Sequence, residues 1–423
     1  MTQTSREARP LRHDRDFRRY WWSRVLSLTG TIISLIALPV LVYRLSGSAF
    51  LTALVSALEA APYVLFGLFA GALSDRWDRR AVMVRADLGN AALMASVPIA
   101  HWAGVLTVPH LLVVAFACPA IETFFDGANF GALPVLVGRD RIAQANAAVF
   151  GASSSMEIVL PSLVGVGLAV VHPATMIAVD AVSFVASALC IRAISRPMYD
   201  ASRVRGPLTR ALLFGEIAEG LRFLAGHAGV RTMTVVGTLQ CLAGGGFVAL
   251  MVVWCDRVLD VGTSGLRFGL VYGSWSVGGL LAAAALPRLL RTATPARLTL
   301  GALPVSAVLG IATGFAPSWP LAALGLFGWS CAYTLVVINS ISYRQQVTPE
   351  HLLGRVNTAA RMLSWGLGWT LGALAGGALG QLIGIEPGLV AMASLGVVAT
   401  AVAWSSPLRA TPHATAEQPI PGR

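Results

Sequence analysis

Along this chain, long apolar stretches alternate with short polar ones. Apolar runs lie near 21–43, 49–73, 82–100, 106–131, 143–171, 173–192, 230–254, 267–286, 298–315, 319–341, 358–380 and 386–405. A helix of about 20 apolar residues matches the thickness of a bilayer's hydrocarbon core. None of the runs shows the strict alternation that a transmembrane barrel strand needs. The pattern predicts an all-α polytopic membrane protein with twelve crossing helices. The longest polar interruption, about 193–229, divides them six and six. Inside it, Leu213, Ile217, Leu221 and Leu224 share one helical stripe, with Glu216, Glu219 and Arg222 off it. That predicts an amphipathic helix lying at the membrane interface. The expected organisation is a tail over 1–20, a six-helix bundle over 21–192, a linker over 193–229, a second bundle over 230–405 and a tail over 406–423.

The two halves echo one another at a nearly constant offset, about half the chain. "VGRDRIAQAN" (137–146) precedes the fifth run and "VTPEHLLGRVN" (347–357) the eleventh, so that Asp140 aligns with Glu350 and Asn146 with Asn357. "ALPVLV" (37–42) likewise meets "ALMVVW" (249–254). A parallel duplication of six spans is a transporter design, with the substrate site between the halves near mid-membrane.

Composition agrees. Of 423 residues, 56% are hydrophobic and 12% charged, half the charge of a soluble domain, about 25%. All 31 basic residues are arginine. Most fall in the tails, the central link and the loops on the side shared by the termini, whereas the opposite loops hold only Arg44, Arg257 and Arg267. Positive charge is retained in the cytoplasm, so both termini are expected there, in a cell membrane. The net charge of +11 follows from this topology and calls for no nucleic acid. The N-terminal run is too long for a cleaved signal. Cys118, Cys190, Cys241, Cys255 and Cys331 are scattered without metal or redox spacing, so no metal or cofactor is expected. Without lysine there is no P-loop, which excludes hydrolysis by this chain as the energy source.

Between the second and third runs stands "GALSDRWDRR" (71–80). Snorkelling arginines would explain Arg79 and Arg80 alone. The whole stretch, with Gly71, Leu73, Asp75, Arg76, Arg79 and Arg80, resembles the G-x-L-x-D-R-x-x-R-R loop of the major facilitator superfamily. "FRRYWWSRVLSLTGTIISLIALPVLVYRLSGSA" (17–49), "RIAQANA" (141–147) and "DAVSFVASAL" (180–189) are similar to its branch of macrolide and enterobactin exporters. The resemblance implies the major facilitator fold, two six-helix pseudo-repeats. It also implies that the loop latches one conformational state, with Asp75 facing a helix N-terminus and Arg79 reaching Asp126. The exporter signature of the fifth span, G-P-x-x-G-G, is here "LPSLVG" (160–165), keeping Pro161 and Gly165; "GALAGG" (372–377) carries Gly372, Gly376 and Gly377 in the eleventh. Small residues there also serve close helix packing.

Embedded acids are the main chemical signal. Glu59, Glu122, Asp126, Glu157 and Asp180 lie inside apolar runs, where each charge costs about 2.5–3.5 kcal/mol. Embedded bases are few: Arg24, Arg85 and Arg361. The surplus acids must hold protons or meet an outside cation. Glu122 and Asp126 share a helical face, so that pair, with Glu59, Glu157 and Asp180, is the candidate proton-coupling set; the alternatives are structural pairing with the loop arginines for Glu122 and Asp126, a specificity role for Glu59 and structural hydrogen bonding for Asp180. One proton crossing about 150 mV supplies roughly 3.5 kcal/mol, enough for a gradient of roughly 300-fold. Tyr63, Gln240, Trp275, Trp329, Arg361, Trp365 and Trp369 are candidates to line a greasy substrate cavity. The expected function is proton-coupled efflux of a hydrophobic or amphiphilic small molecule by a monomer in the lipid bilayer. An importer or metabolite carrier of the same fold, or a non-transporting membrane scaffold, stay open as alternatives; no nucleophile or metal pattern favours an enzyme.

Overall fold

The computed structural model describes residues 11–74, 77–198 and 210–410. Fourteen α-helices follow one another among them: α1 (Arg15–Ser46), α2 (Ala49–Ser74), α3 (Arg79–Trp102), α4 (Val108–Val137), α5 (Ile142–Val170), α6 (Pro173–Arg192), α7 (Arg210–Gly226), α8 (Ala228–Arg257), α9 (Gly265–Leu289), α10 (Pro295–Gly314), α11 (Trp319–Val347), α12 (Glu350–Arg361), α13 (Trp369–Leu382) and α14 (Ile385–Trp404). Local chemistry sets many of the ends. Asp14, Asp78 and Thr294 cap α1, α3 and α10 by accepting hydrogen bonds from first-turn amides. Proline opens α4, α6, α10 and α11, where its missing N–H is no loss. Gly47, at φ 62°, ends α1 in the left-handed conformation.

Ten of these helices are long and apolar enough to cross a membrane. Two further crossings complete the twelve. The helix α3 carries Arg79, Arg80, Arg85 and Asp87, which dilute its hydropathy. The eleventh crossing runs through α12 and α13, joined by a π-helical turn over 362–368.

Helices α1–α6 pack together, chiefly α1 on α6, α2 on α4 and α3 on both α4 and α6. In the second half, α9 and α10 pack on α11, and α13 and α14 on α8. The amphipathic α7 leans on α12 rather than standing alone at a membrane surface. Leu224 is buried among Val230, Leu352, Val356 and Ala360, and Glu219 pairs with Arg355. The backbones meet at Gly220, where a Cβ would stand 2.7 Å from the Arg355 carbonyl. The side chains of Leu213, Glu216 and Ile217 lie outside the described residues.

Two helix pairs, α5 with α9 and α2 with α13, join the halves, and α8 also touches α2. The apolar core is lopsided. On the face opposite the termini it is continuous across both halves, from Ile36–Tyr43 of α1 through Leu160 and Leu168 of α5 to Phe247–Cys255 of α8 and Phe268 of α9. Toward the terminus-bearing face it separates into clusters belonging to one half each, around Phe17, Met83 and Phe125 in the first and around Met233, Leu303 and Val336 in the second. The halves are sealed at one face and part toward the other.

Candidate functional site

The polar loop between α2 and α3 is half described. Gly71 lies in the last turn of α2; Asp75 and Arg76 are outside the described residues. Asp78 caps α3, accepting from the Arg80 and Ala81 amides at 2.9 and 3.2 Å. Arg79 is buried and donates to the carbonyls of Gly131, at 2.8 Å, and Met198, at 3.3 Å. A Cβ on Gly131 would sit 2.5 Å from that guanidinium, so the glycine makes its berth. Arg80 donates to the Arg196 carbonyl. The expected reach of Arg79 to Asp126 is not made in this conformation: Arg79 is held at Gly131, more than one turn along α4 from Asp126, which lies within electrostatic reach of Arg24 and Arg361 instead. Asp14 and Asp16, which the sequence reading passed over, bind Arg196 and the loop after α6: Arg196 Nη1 stands 2.7 Å from Asp14, and the Ser195 amide donates to Asp16 at 3.0 Å. These contacts tie the terminus-bearing end of the first half together.

Deeper in, α1, α2, α3 and α4 assemble a charged cluster. Arg24 lies with its guanidinium 5.0 Å over the Phe125 ring and within electrostatic reach of Asp126, Glu122 and Asp87. Asn90 donates to Glu122 at 3.2 Å. Asp87 is 1% exposed; it faces Ser187 of α6, yet neither of its oxygens is engaged in a well-formed hydrogen bond. Tyr63 of α2 directs its hydroxyl at Asp126. From the second half, Arg361 lies 5.9 Å over the Tyr63 ring and within electrostatic reach of Asp126. Among the described residues neither Glu122 nor Asp126 comes within the 4 Å of an ion pair. Three carboxylates thus share Arg24, with Arg361 approaching across the gap between the halves.

Glu59, one turn before Tyr63 on α2, is half-buried and within electrostatic reach of Cys118 on α4 and of Tyr272 on α9 in the other half. Asp180 is fully buried and held between helices, accepting from Ser34 at 2.5 Å and Ser183 at 3.2 Å; a Cβ on Gly30 would fall 2.2 Å from its carboxylate. Glu157 stands apart, exposed on α5. The second half contributes Trp365 and Trp369, stacked with centroids 5.3 Å apart and planes 5° from parallel. Gln240 and Trp329 lie in its core instead: Trp329 is 1% exposed and donates to Ser306 at 3.1 Å, which donates in turn to Gln240 at 3.3 Å. Trp275 packs edge-on against Trp329. The small residues sit at the seams. A Cβ on Gly165 would be 2.6 Å from the Gly269 Cα, and one on Gly269 2.8 Å from the Pro161 carbonyl. Gly372 and Gly376 admit α8 in the same way, and Gly377 admits Ala53 of α2.

The sealed face has its own polar clasp, which the sequence reading missed. Tyr43 donates to Asp256 at 2.7 Å and accepts from Arg257 Nε at 3.0 Å. Arg257 also donates to the Gly47 carbonyl at 2.6 Å, and Arg44 to Thr263 at 3.0 Å. All four bonds join the first half to the second.

Comparison with known proteins points one way. The family model described as "transmembrane secretion effector" matches residues 5–421. The chain is 30% identical to the multidrug efflux pump Tap of Mycolicibacterium fortuitum, over 88% of this chain and 91% of that protein. It is 26% identical to Tap of Mycobacterium tuberculosis strain H37Rv, over 94% and 96%. It is 26% identical to macrolide efflux protein A of Streptococcus pyogenes, over 53% and 54%. In fold it is similar to a bacterial homologue of the iron transporter ferroportin in an inward-facing state (TM-score 0.74, 15% identity, 93% of this chain and 98% of that one). A bacterial homologue of the lysosomal transporter Spinster, inward-facing and unoccupied, aligns with TM-score 0.68 at 13% identity, over 94% and 97%. With twelve crossings in two halves and a match along nearly its whole length, the chain belongs to the transmembrane secretion effector family of major facilitator transporters.

Proposed function

We propose that this transporter exports a hydrophobic or amphiphilic small molecule across the cell membrane in exchange for protons, acting as a monomer with both termini in the cytoplasm. Its working units are the bundles 21–192 and 230–405, linked through 193–229. The observation that carries the proton half is the Glu122–Asp126 pair: two carboxylates one turn apart, neighboured by Arg24 yet in ion-pair contact with no cation among the described residues. Leaving such charges bare inside a membrane costs about 2.5–3.5 kcal/mol each, and proton binding removes that cost. Arginine placement supports cytoplasmic termini, and with that orientation the face toward which the halves part is the cytoplasmic one. In that state a substrate enters the cleft from the cytoplasm or the inner leaflet, and the clasp of Tyr43, Asp256 and Arg257 blocks its exit. Proton arrival at Glu122 and Asp126, from outside, drives the return. The Tap pumps and macrolide efflux protein A, named for drug export, support the outward direction.

Inside-out vesicles carrying the protein and loaded by an imposed pH gradient test this reading. Uptake of a macrolide or dye that collapses with a protonophore is the expected result. Asp126→Asn and Glu122→Gln each abolish the pH-driven component while leaving substrate binding. Uptake only into right-side-out vesicles makes the protein an importer, and full activity in both variants removes the pair from proton coupling.

A further inference from the structure

The carboxylates occupy one wall of the cleft, and the wall that faces them carries different chemistry. There, Arg361, Trp365 and Trp369 recur every four residues along one side of the eleventh crossing. This side is turned inward, since Arg361 reaches over Tyr63 of α2 and toward Asp126 of α4. Leu367 and Leu371 leave by the other side, where both are exposed. Trp369 is backed by α8 so closely that a Cβ on Gly245 would lie 3.1 Å from its ring and 2.8 Å from its carbonyl. Trp365 rests flat on it, 5° from parallel, and is itself 50% exposed. One indole is anchored, and the second presents a bare aromatic face. The π-helical turn 362–368 contains Trp365; such wide turns mark functional sites more often than plain helix does. Arg361, one turn away, is exposed and has no carboxylate within ion-pair distance among the described residues.

We propose that this wall is the substrate platform, and that it selects flat, conjugated ring systems bearing an ionised acidic oxygen. The ring extends the indole stack on the free face of Trp365, where offset stacking is favoured over contact with a puckered, saturated ring. The acidic oxygen accepts hydrogen bonds from the planar Arg361 guanidinium, whose donors suit an oxyanion pair. The inference rests on the export reading above but concerns only what is recognised.

The purified full-length protein in nanodiscs, with three probes, tests it: fluorescein (flat, anionic), ethidium (flat, cationic) and erythromycin (a saturated macrolide). Binding is read by fluorescence anisotropy for the dyes and by competition for the macrolide. Trp365→Leu, which keeps apolar bulk but loses the flat face, weakens both dyes about tenfold and leaves erythromycin unchanged; Trp365→Phe restores the dyes. Arg361→Gln weakens fluorescein and spares ethidium. Equal loss of all three probes in Trp365→Leu, loss of none, or no binding of either dye to the wild type overturns the platform. Vesicle uptake separates this from the parent reading. Proton-driven erythromycin export without dye recognition leaves export standing and sinks the platform. The dye pattern without proton-driven uptake of any probe keeps the platform and sinks export.

Discussion

Removing one oxygen atom from the sealed face tests whether the clasp holds the two halves together there. In Tyr43→Phe the ring stays, so the apolar core around it, continuous into α8, is preserved and no cavity opens. What goes is the hydroxyl that donates to Asp256 at 2.7 Å and accepts from Arg257 at 3.0 Å. A hydrogen bond contributes about 0.5–1.5 kcal/mol net, and more where a partner is charged. Both partners here are charged, but they sit at a helix end where water replaces part of the loss, which brings the pair of bonds to about 1–3 kcal/mol. Because these bonds exist only while the face is closed, the whole amount bears on the equilibrium between states and shifts it by about 5- to 150-fold. Spin labels at Leu45 and Leu266, both exposed near this face, in a background without the five cysteines, read the separation of the halves by pulsed dipolar spectroscopy. The expected result is a second, longer-distance population in Tyr43→Phe and a larger one in Arg257→Ala, which also gives up the bond to Gly47. Unchanged distance distributions in both variants would refute the reasoning and assign the closure to the glycine seams alone.

Those seams make a stability prediction. Gly165→Val drives a side chain into the Gly269 backbone, 2.6 Å from where its Cβ must go, and backbone on backbone has little room to yield; a loss of about 1–3 kcal/mol and a lower melting temperature in detergent are expected, with Gly165→Ala intermediate. Ser34→Ala removes the 2.5 Å donor to the buried Asp180, leaving Ser183 to serve it alone, and lowers stability by about 1–3 kcal/mol; Asp180→Asn in the same background recovers part of it, whereas no loss in Ser34→Ala would show that the bond is dispensable. His172, in the loop before α6, accepts the Ala174 amide through Nδ1 and stacks on His101 at 4.0 Å. Burial first, then His101 and Arg44, hold its pKa below 6.5, so the neutral form belongs to the folded state. Its contribution is complete above about pH 6.5 and declines as the pH falls below that. His172→Asn keeps a cap but cannot titrate, and its melting temperature between pH 7 and 5 is expected to fall less steeply than the wild type's; parallel slopes would dismiss the histidine.

The fold was legible because crossing a bilayer demands length and apolarity in one continuous run, and both are linear properties of a sequence. Two crossings were found by pattern although their composition or regularity is poor: α3, which carries Arg79, Arg80, Arg85 and Asp87, and the eleventh, where the helix breaks into a π turn that no hydropathy profile reports. The linker helix was found too, but not its berth. Its stripe reads as membrane-facing, and nothing in it announces that Leu224 packs among Val230, Leu352, Val356 and Ala360 or that Gly220 meets the backbone of α12.

At the site, sequence separated the unusual from the ordinary but not the near from the far. Glu122, Asp126, Tyr63 and Arg361 stood out as misplaced polar groups, and they converge. Gln240 and Trp329 stood out as candidates for the cavity lining and do not join them, since both bond Ser306 inside the second bundle. A buried polar residue is conspicuous whether it serves a cleft or a core, and only its partner decides which. Asp256 and Tyr43 escaped notice for the converse reason: at the ends of membrane helices charges and tyrosines are common, and nothing in either segment announces the other, 213 residues away. Residues that act by meeting a partner in one conformation and losing it in the next carry no local signature. Alternating access therefore writes its cavity into the sequence and leaves its gates to the structure.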